Sequence, residues 1–187
     1  GFYLKLVNGS ELAGLQSATQ YEPASALKVL YHAKSIREES RRTKTDSTII
    51  TYIYDKANPN NGGICNNNFS DTKTTNLKNG DTLMMVNSDN RMTRGILELY
   101  GKTVMQNYAK QLGMADTQIN HNIGCPTPQT HNSTSLDDLD TVYEGFQNGT
   151  DITASKWRTQ FRSRMLNQTN YPSAVAQLCT VVHQEAT

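Results

Sequence analysis

The chain has 187 residues, and its 18 basic and 17 acidic side chains leave a formal net charge of +1. This balance excludes disorder driven by net charge and argues against electrostatic nucleic-acid binding, which needs a basic face. No apolar run approaches the roughly 20 residues needed to cross a bilayer, and the length suits a single domain.

The N-terminal third of the chain predicts a hairpin followed by a helix. Residues 2–7 and 10–13 flank Asn8-Gly9, which suits a type I′ turn because both central residues there need positive φ. After Pro23 and Ser25 the apolar period changes to that of a helix, with Ala26, Val29, Leu30, Ala33 and Ile36 on one stripe.

The rest of the chain predicts helices and few strands. Residues 48–54 are β-branched and aromatic, so they form either a strand or an extended connection, whereas residues 57–80 are rich in turn formers. Further helical stripes occupy 92–100, 104–112, 136–146, 157–165 and 175–182. Gly113 is expected to end one of them, and Ser135-x-x-Asp138 to begin another as a capping box. The fold class is therefore α+β.

Cysteine and histidine positions indicate neither a disulfide framework nor a metal site. The three cysteines allow one bridge between Cys65 and Cys125, or three reduced thiols with Cys179 as a small core residue, and both alternatives stay open. His32, His121, His131 and His183 show no metal-ligand spacing. No metal, nucleotide or other cofactor is predicted.

Ser25-Ala26-Leu27-Lys28 places a hydroxyl and an amine one turn apart at the start of a helix. A lysine there can take the serine proton if burial lowers its pKa, and the helix N-terminus favours negative charge on a bound carbonyl oxygen. The alternative is a capping serine beside a solvated lysine. Further along, Ser88-Asp89-Asn90 stands just before a helical stripe, where Asp89 or Asn90 could instead cap the helix.

The two motifs together match the first two of the serine β-lactamase and penicillin-binding protein superfamily. The chain resembles the class A β-lactamase branch most closely, and the likeness covers nearly its whole length. Residues 101–113 resemble the family's next helix, and residues 136–149 resemble the helix that follows the Ω-loop.

This resemblance implies a helical region beside an antiparallel sheet, with the site in the cleft between them. Ser25 would be the acylated nucleophile, and its N–H would form half of an oxyanion hole. Lys28 would assist its deprotonation, Ser88 would relay a proton to the leaving nitrogen, and Asn90 would bind the substrate's amide. The implied substrates are β-lactams or D-alanyl-D-alanine peptides, which places the protein outside the cytoplasm.

Two departures from the family pattern limit what the resemblance implies. The stretch equivalent to the Ω-loop, residues 117–129, lacks the family's water-activating Glu, and His121 is its only titratable base unless it is a surface-loop histidine. No Lys, Arg or His is followed by Ser/Thr and Gly, so the third motif is absent. We therefore expect residues 1–187 to form one domain that lacks its C-terminal strands, and we leave open a missing N-terminal helix. The alternative function is a non-catalytic binding protein that keeps this fold.

Overall fold

A computed structural model describes residues 1–6, 9–54, 72–124 and 130–169. Its strands are β1 (Phe2–Lys5), β2 (Glu11–Leu15), β3 (Ile49–Ile53) and β4 (Thr72–Asn76). Its helices are a 3-10 turn (Ala24–Leu27), α1 (Lys28–Ser40), α2 (Leu77–Val86), α3 (Asn90–Tyr100), α4 (Lys102–Leu112), α5 (Leu136–Asn148) and α6 (Ser155–Leu166). All three cysteines, the Asn-rich stretch at 57–70 and the helix expected at 175–182 lie outside the described residues.

The described strands form two antiparallel pairs. β1 pairs with β2, with Phe2 opposite Leu15, which confirms the predicted strand pairing, whereas the predicted type I′ turn includes Asn8, which lies outside the described residues. β3 pairs with β4, with Ile49 opposite Asn76, so residues 49–53 are a strand rather than a connection. Strand β4 was not predicted because its residues, Thr-Lys-Thr-Thr-Asn, are polar and largely exposed, and such a strand has no apolar alternation.

The sequence did not predict helix α2, because a glycine inside it, Gly80, is typical of a turn. We interpreted Gly80 as the end of a turn-rich segment, but it lies inside α2, where a β-carbon would come within 2.2 Å of Cδ1 of Ile50 on β3. The missing side chain allows the helix to pack closely on the strand. The start of α2 is capped by the side chain of Asn76, which accepts a hydrogen bond from the N–H of Asn79 at 2.8 Å.

Helix α1 lies at the centre of the helical region and contacts each of the other five helices. The apolar stripe predicted for it is buried except at Ala26, which is exposed in the 3-10 turn. Lys28, His32, Ser35 and Glu39, on its other faces, are buried as well. A central helix must bury its whole circumference, so polar residues on it need partners within the protein.

A buried polar network joins α1 to α2 and α6. Nδ1 of His32 lies 2.7 Å from Oδ2 of Asp81, and Arg164 donates to the same carboxylate oxygen. Nearby, Oε2 of Glu39 accepts from Gln160 at 3.2 Å. Burial and the charge of Asp46 raise the pKa of Glu39 to about 7.

The predicted end of α4 is confirmed, since Gly113 has a φ of 91°. The predicted capping box is confirmed in one half: Oγ of Ser135 accepts from the N–H of Asp138 at 3.1 Å at the start of α5, whereas the Asp138 carboxylate accepts from the N–H of Asp116 at 2.9 Å. None of the helices in the described ranges is both long enough and apolar enough to cross a membrane.

Candidate active site

Ser25 and Lys28 lie where the 3-10 turn joins helix α1. Ser25 is exposed, whereas Lys28 is the first residue of α1 and only 2% exposed. Nζ of Lys28 lies 3.2 Å from Oγ of Ser25. Ala24, just before the serine, has a φ of 45°, a conformation that non-glycine residues adopt at a cost. The predicted spacing therefore brings the amine to the hydroxyl.

Ser88 joins this pair from the loop between α2 and α3. Its backbone oxygen and its Oγ both lie 2.7 Å from Nζ of Lys28, and its hydroxyl donates to Oγ of Ser25 at 3.0 Å. Ser88 has a φ of 56°, which is unusual for a residue with a side chain. The two motifs, 60 positions apart, thus form one hydrogen-bonded group of three side chains.

The residues that follow Ser88 serve both purposes considered from the sequence: one caps helix α3, and the other lies in the site. The carboxylate of Asp89 caps α3 by accepting from the N–H groups of Arg91 and Met92 at 2.8 and 3.2 Å. Asn90, the first residue of α3, instead turns toward the site, and its Oδ1 lies 2.7 Å from Nζ of Lys28. Capping by Asp89 holds the start of the helix in the orientation that directs Asn90 at the lysine.

Burial lowers the pKa of Lys28 to about 8. The negative charge of Asp89 acts in the opposite direction, but its carboxylate is bound by the guanidinium of Arg91 at 2.7 Å as well as by backbone N–H groups. No carboxylate forms a hydrogen bond with Lys28 among the described residues. A large share of the lysine is consequently neutral near pH 8.

The hydrogen-bond geometry around Nζ suits a neutral amine, which has two N–H donors and one lone pair. The carbonyl oxygens of Ser88 and Asn90 are acceptors only, so they take the two N–H groups. The single lone pair can then accept from one hydroxyl only: from Ser25 while Ser88 donates to Oγ of Ser25, or from Ser88 when that hydrogen bond is reversed. In this protonation state, the amine can accept a proton from Ser25 directly or through Ser88.

A cavity of about 360 Å³ opens beside these groups. Ser25, Lys28 and Ser88 line its polar side, and Tyr143 from α5 and Met165 from α6 are among the residues on its other walls. Its volume falls in the usual range for small-molecule sites, roughly 300–1,000 Å³. Helical spacing alone predicts Tyr143 and Met165 as core residues of two helices, because spacing does not show which apolar side chains line a cavity.

The loop that was predicted to correspond to the Ω-loop reaches the site at Gly124. A β-carbon there would lie 2.4 Å from Nδ2 of Asn90, and Gly124 has a φ of 87°, so only glycine fits without strain. His121, the one titratable base predicted in this loop, contacts Glu22 and the backbone oxygen of Asn122 rather than Ser25. Residues 117–124 contain no carboxylate.

Solved structures with the same fold are serine β-lactamases and penicillin-binding proteins. The β-lactamase from Sphaerobacter thermophilus DSM 20745 is 17% identical with a TM-score of 0.72, covering 90% of this chain and 63% of that one. A penicillin G acyl-enzyme complex of a PBP-A mutant is 20% identical with a TM-score of 0.74, covering 90% and 62%. The D-alanyl-D-alanine carboxypeptidase DacD from Francisella tularensis is 21% identical with a TM-score of 0.59, covering 74% and 34%.

These similarities define the class of fold: an α+β, β-lactamase-like arrangement of a helical region with small antiparallel sheets, as the resemblance predicted. The chain spans only 63% and 62% of the first two of those structures. The model of the beta-lactamase enzyme family matches residues 1–185, and the chain belongs to that family. No curated protein matches the chain.

Proposed function

We propose that the protein is a serine hydrolase that forms an acyl-enzyme with β-lactams or with D-alanyl-D-alanine peptides. The observation that carries the proposal is the joint hydrogen bonding of Ser25, Lys28 and Ser88 beside a cavity. An exposed hydroxyl next to a buried amine of lowered pKa is the arrangement that an activated serine nucleophile requires.

In the proposed reaction, neutral Lys28 takes the proton of Ser25 as Oγ attacks the carbonyl carbon of the substrate's amide. The tetrahedral oxyanion is stabilised by the N–H of Ser25. The C–N bond then breaks, and the proton passes from Lys28 through Ser88 to the leaving nitrogen, which leaves the acyl group on Ser25. Asn90 hydrogen-bonds the substrate's amide side chain while it holds Lys28.

Release of the acyl group is proposed to be slow. Deacylation needs a base that activates water, and residues 117–129 contain neither Glu nor Asp. His121 is held beside Glu22 instead of the nucleophile. The family's known substrates lie outside the cytoplasm, so we propose the same location for this protein.

Intact mass spectrometry after incubation with penicillin G tests the proposal. We expect a single adduct of the mass of penicillin, located at Ser25 by peptide mapping and lost slowly after the free drug is removed. Ser25→Ala should abolish the adduct, whereas Ser47→Ala, at an exposed serine before β3, should leave it unchanged. An adduct that survives in Ser25→Ala would overturn the assignment of the nucleophile.

A second candidate function is a non-catalytic binding protein that keeps this fold, and the missing Ω-loop carboxylate favours it. It predicts saturable, reversible binding of the same ligands without an adduct. Turnover of a chromogenic cephalosporin that disappears in Lys28→Ala would exclude it. The absence of both adduct and turnover would exclude the hydrolase.

A further inference from the structure

Three side chains that can bind a metal ion meet next to the segment that carries the nucleophile. Oε2 of Glu22 lies 3.0 Å from Nδ1 of His131 and 3.8 Å from Nε2 of His121. All three ligand atoms lie within 4.8 Å of one another. The residues come from three separate positions in the sequence, which is why linear spacing did not indicate them.

These distances suit a single tetrahedral ion. Zinc binds His nitrogen and carboxylate oxygen at about 2.0–2.2 Å, so two ligand atoms on one tetrahedral zinc are about 3.3 Å apart. The two contacts to Glu22 bracket that value. The side chain of His131 is 71% exposed and that of Glu22 is 38% exposed, so an ion can enter from solvent. A fourth position remains for water.

His121 is held in the tautomer that a metal ligand needs. Its Nδ1 lies 2.8 Å from the backbone oxygen of Asn122, an acceptor only, so Nδ1 carries the proton and donates it. Nε2 therefore presents its lone pair toward Glu22. This atom is buried and has no hydrogen-bond partner among the described residues. A ring nitrogen that donates to a backbone carbonyl while the other binds the ion is the usual arrangement of metal-bound histidine.

The backbone that carries the two histidines is fixed by Asn132, which is only 1% exposed. Oδ1 of Asn132 accepts from the N–H groups of Asn120 and His121 at 2.7 and 3.0 Å, and its Nδ2 donates to the oxygen of His121 at 3.2 Å. The side chain of Asn120 donates in return to the oxygen of His131 at 2.7 Å. The two ligands are thus held together before any ion binds.

Glu22 is aligned with them by its neighbour. Tyr21 and Thr134 exchange backbone hydrogen bonds of 2.8 and 3.0 Å, which fixes the chain on the N-terminal side of Glu22 against the segment that carries His131. All three ligand-bearing segments are therefore positioned by contacts that do not involve the ligand atoms. Such prior positioning reduces the entropy lost when an ion binds.

We propose that Glu22, His121 and His131 bind one divalent transition-metal ion of the zinc class. Two imidazoles and one carboxylate are the donors that zinc accepts readily. The ion would connect the loop containing His121 to the residue three positions before Ser25, and so would stiffen the approach to the nucleophile. The site itself depends on no catalytic role for Ser25.

Calorimetric titration of the full chain with ZnCl₂ tests the proposal, with Co²⁺ absorption as a second readout. We expect one equivalent of Zn²⁺ to bind, a Tm that rises with zinc concentration, and a visible Co²⁺ spectrum of a four- or five-coordinate ion. His131→Ala and Glu22→Gln should each weaken zinc binding at least about tenfold. Both residues are exposed, so neither change removes core packing.

The control is Glu98→Gln, which neutralises an exposed carboxylate on α3 that pairs with Arg94 and should leave the affinity unchanged. The same titration of Ser25→Ala should bind zinc normally, which separates this proposal from the proposed hydrolase activity. Failure to bind Zn²⁺ up to about 1 mM would overturn the site and leave only a Glu22–His131 hydrogen bond. Unchanged binding in His131→Ala and Glu22→Gln would also overturn it, because the ion would then lie elsewhere.

Discussion

Oδ1 of Asn90 lies 2.7 Å from Nζ of Lys28, although 62 positions separate the two residues. One side chain is predicted to bind substrate and the other to move a proton, so a change at Asn90 should alter the protonation of Lys28. The amide oxygen of Asn90 carries no charge, and no carboxylate in the described ranges forms a hydrogen bond with Nζ of Lys28. Burial is therefore the main influence on the pKa of the lysine, opposed by the charge of Asp89, and a further charge beside Nζ should change it.

Asn90→Asp should raise the pKa of Lys28 and slow acylation at neutral pH. A carboxylate at hydrogen-bond distance favours the charged ammonium, so the amine stays protonated to higher pH. We expect the pH dependence of the acylation rate to move toward alkaline pH by about one unit or more. The rate is measured by intact mass at timed intervals with penicillin G.

The matched control for that change is Asn107→Asp, which adds the same charge at an exposed residue of α4 that is not a hydrogen-bond partner of Lys28. Its pH profile should follow that of the unchanged protein. Equal shifts in the two variants would show that general charge, rather than the contact with Nζ, governs the lysine.

The acylation rate of the unchanged protein should rise with pH and level off above about pH 8. Burial lowers the pKa of Lys28 to about 8, and only the neutral amine can take the proton of Ser25. At pH 7, about one tenth of the lysine is neutral, so the rate should increase roughly fivefold between pH 7 and pH 8. A rate that is flat between about pH 6 and pH 9 would contradict Lys28 as the base.

Gly80→Ala should destabilise the fold by about 1–3 kcal/mol, although alanine is the better helix former. The new β-carbon would lie 2.2 Å from Cδ1 of Ile50 but 3.4 Å from its Cγ1. Ile50→Val removes Cδ1 alone, so the double variant should recover much of the loss. Urea unfolding of the four proteins of this double-mutant cycle measures the coupling. If the changes in unfolding free energy of the two single variants simply add in the double variant, the β-carbon at position 80 does not clash with Ile50.

Stability should fall as pH rises from about 5 to about 8, and Glu39 should account for part of that fall. Its ordinary pKa is 4.5 and its folded pKa is about 7, so between these values the folded state binds more protons than the unfolded state. The penalty above the folded pKa is on the order of 1–3 kcal/mol. Glu39→Gln should therefore raise the Tm at pH 8 more than at pH 5.

Glu38→Gln is the control for that measurement. Glu38 is the neighbouring residue, but it pairs with Lys34 and its pKa is lowered, so it is ionised across the whole window in both states. Its replacement should not change the slope of Tm between pH 5 and pH 8. A slope that Glu39→Gln leaves intact would assign the pH dependence to another group.

The sequence alone determined the features that depend on local order. The sequence predicted the paired strands β1 and β2, the helix after Ser25, the caps at Ser135 and Gly113, and the two motifs. Each of these features depends on residues that are only a few positions apart. The motifs also led to the correct family and fold. The roles of Ser25, Lys28, Ser88 and Asn90 remain predictions, since similarity of fold at this level of identity does not establish activity.

Other features arise from contacts between segments that are distant in the sequence, so they are seen in the folded structure alone. Gly80 acts as a close-packing position because Ile50 lies against it. Lys28 has a lowered pKa because the start of α1 is buried, with Ser88 and Asn90 against the amine. The grouping of Glu22, His121 and His131 likewise exists only after three segments are joined by backbone and asparagine hydrogen bonds. The burial of a side chain, its pKa and its distance to other ligand atoms depend on the groups around it in space, and the order of residues along the chain does not specify these groups directly.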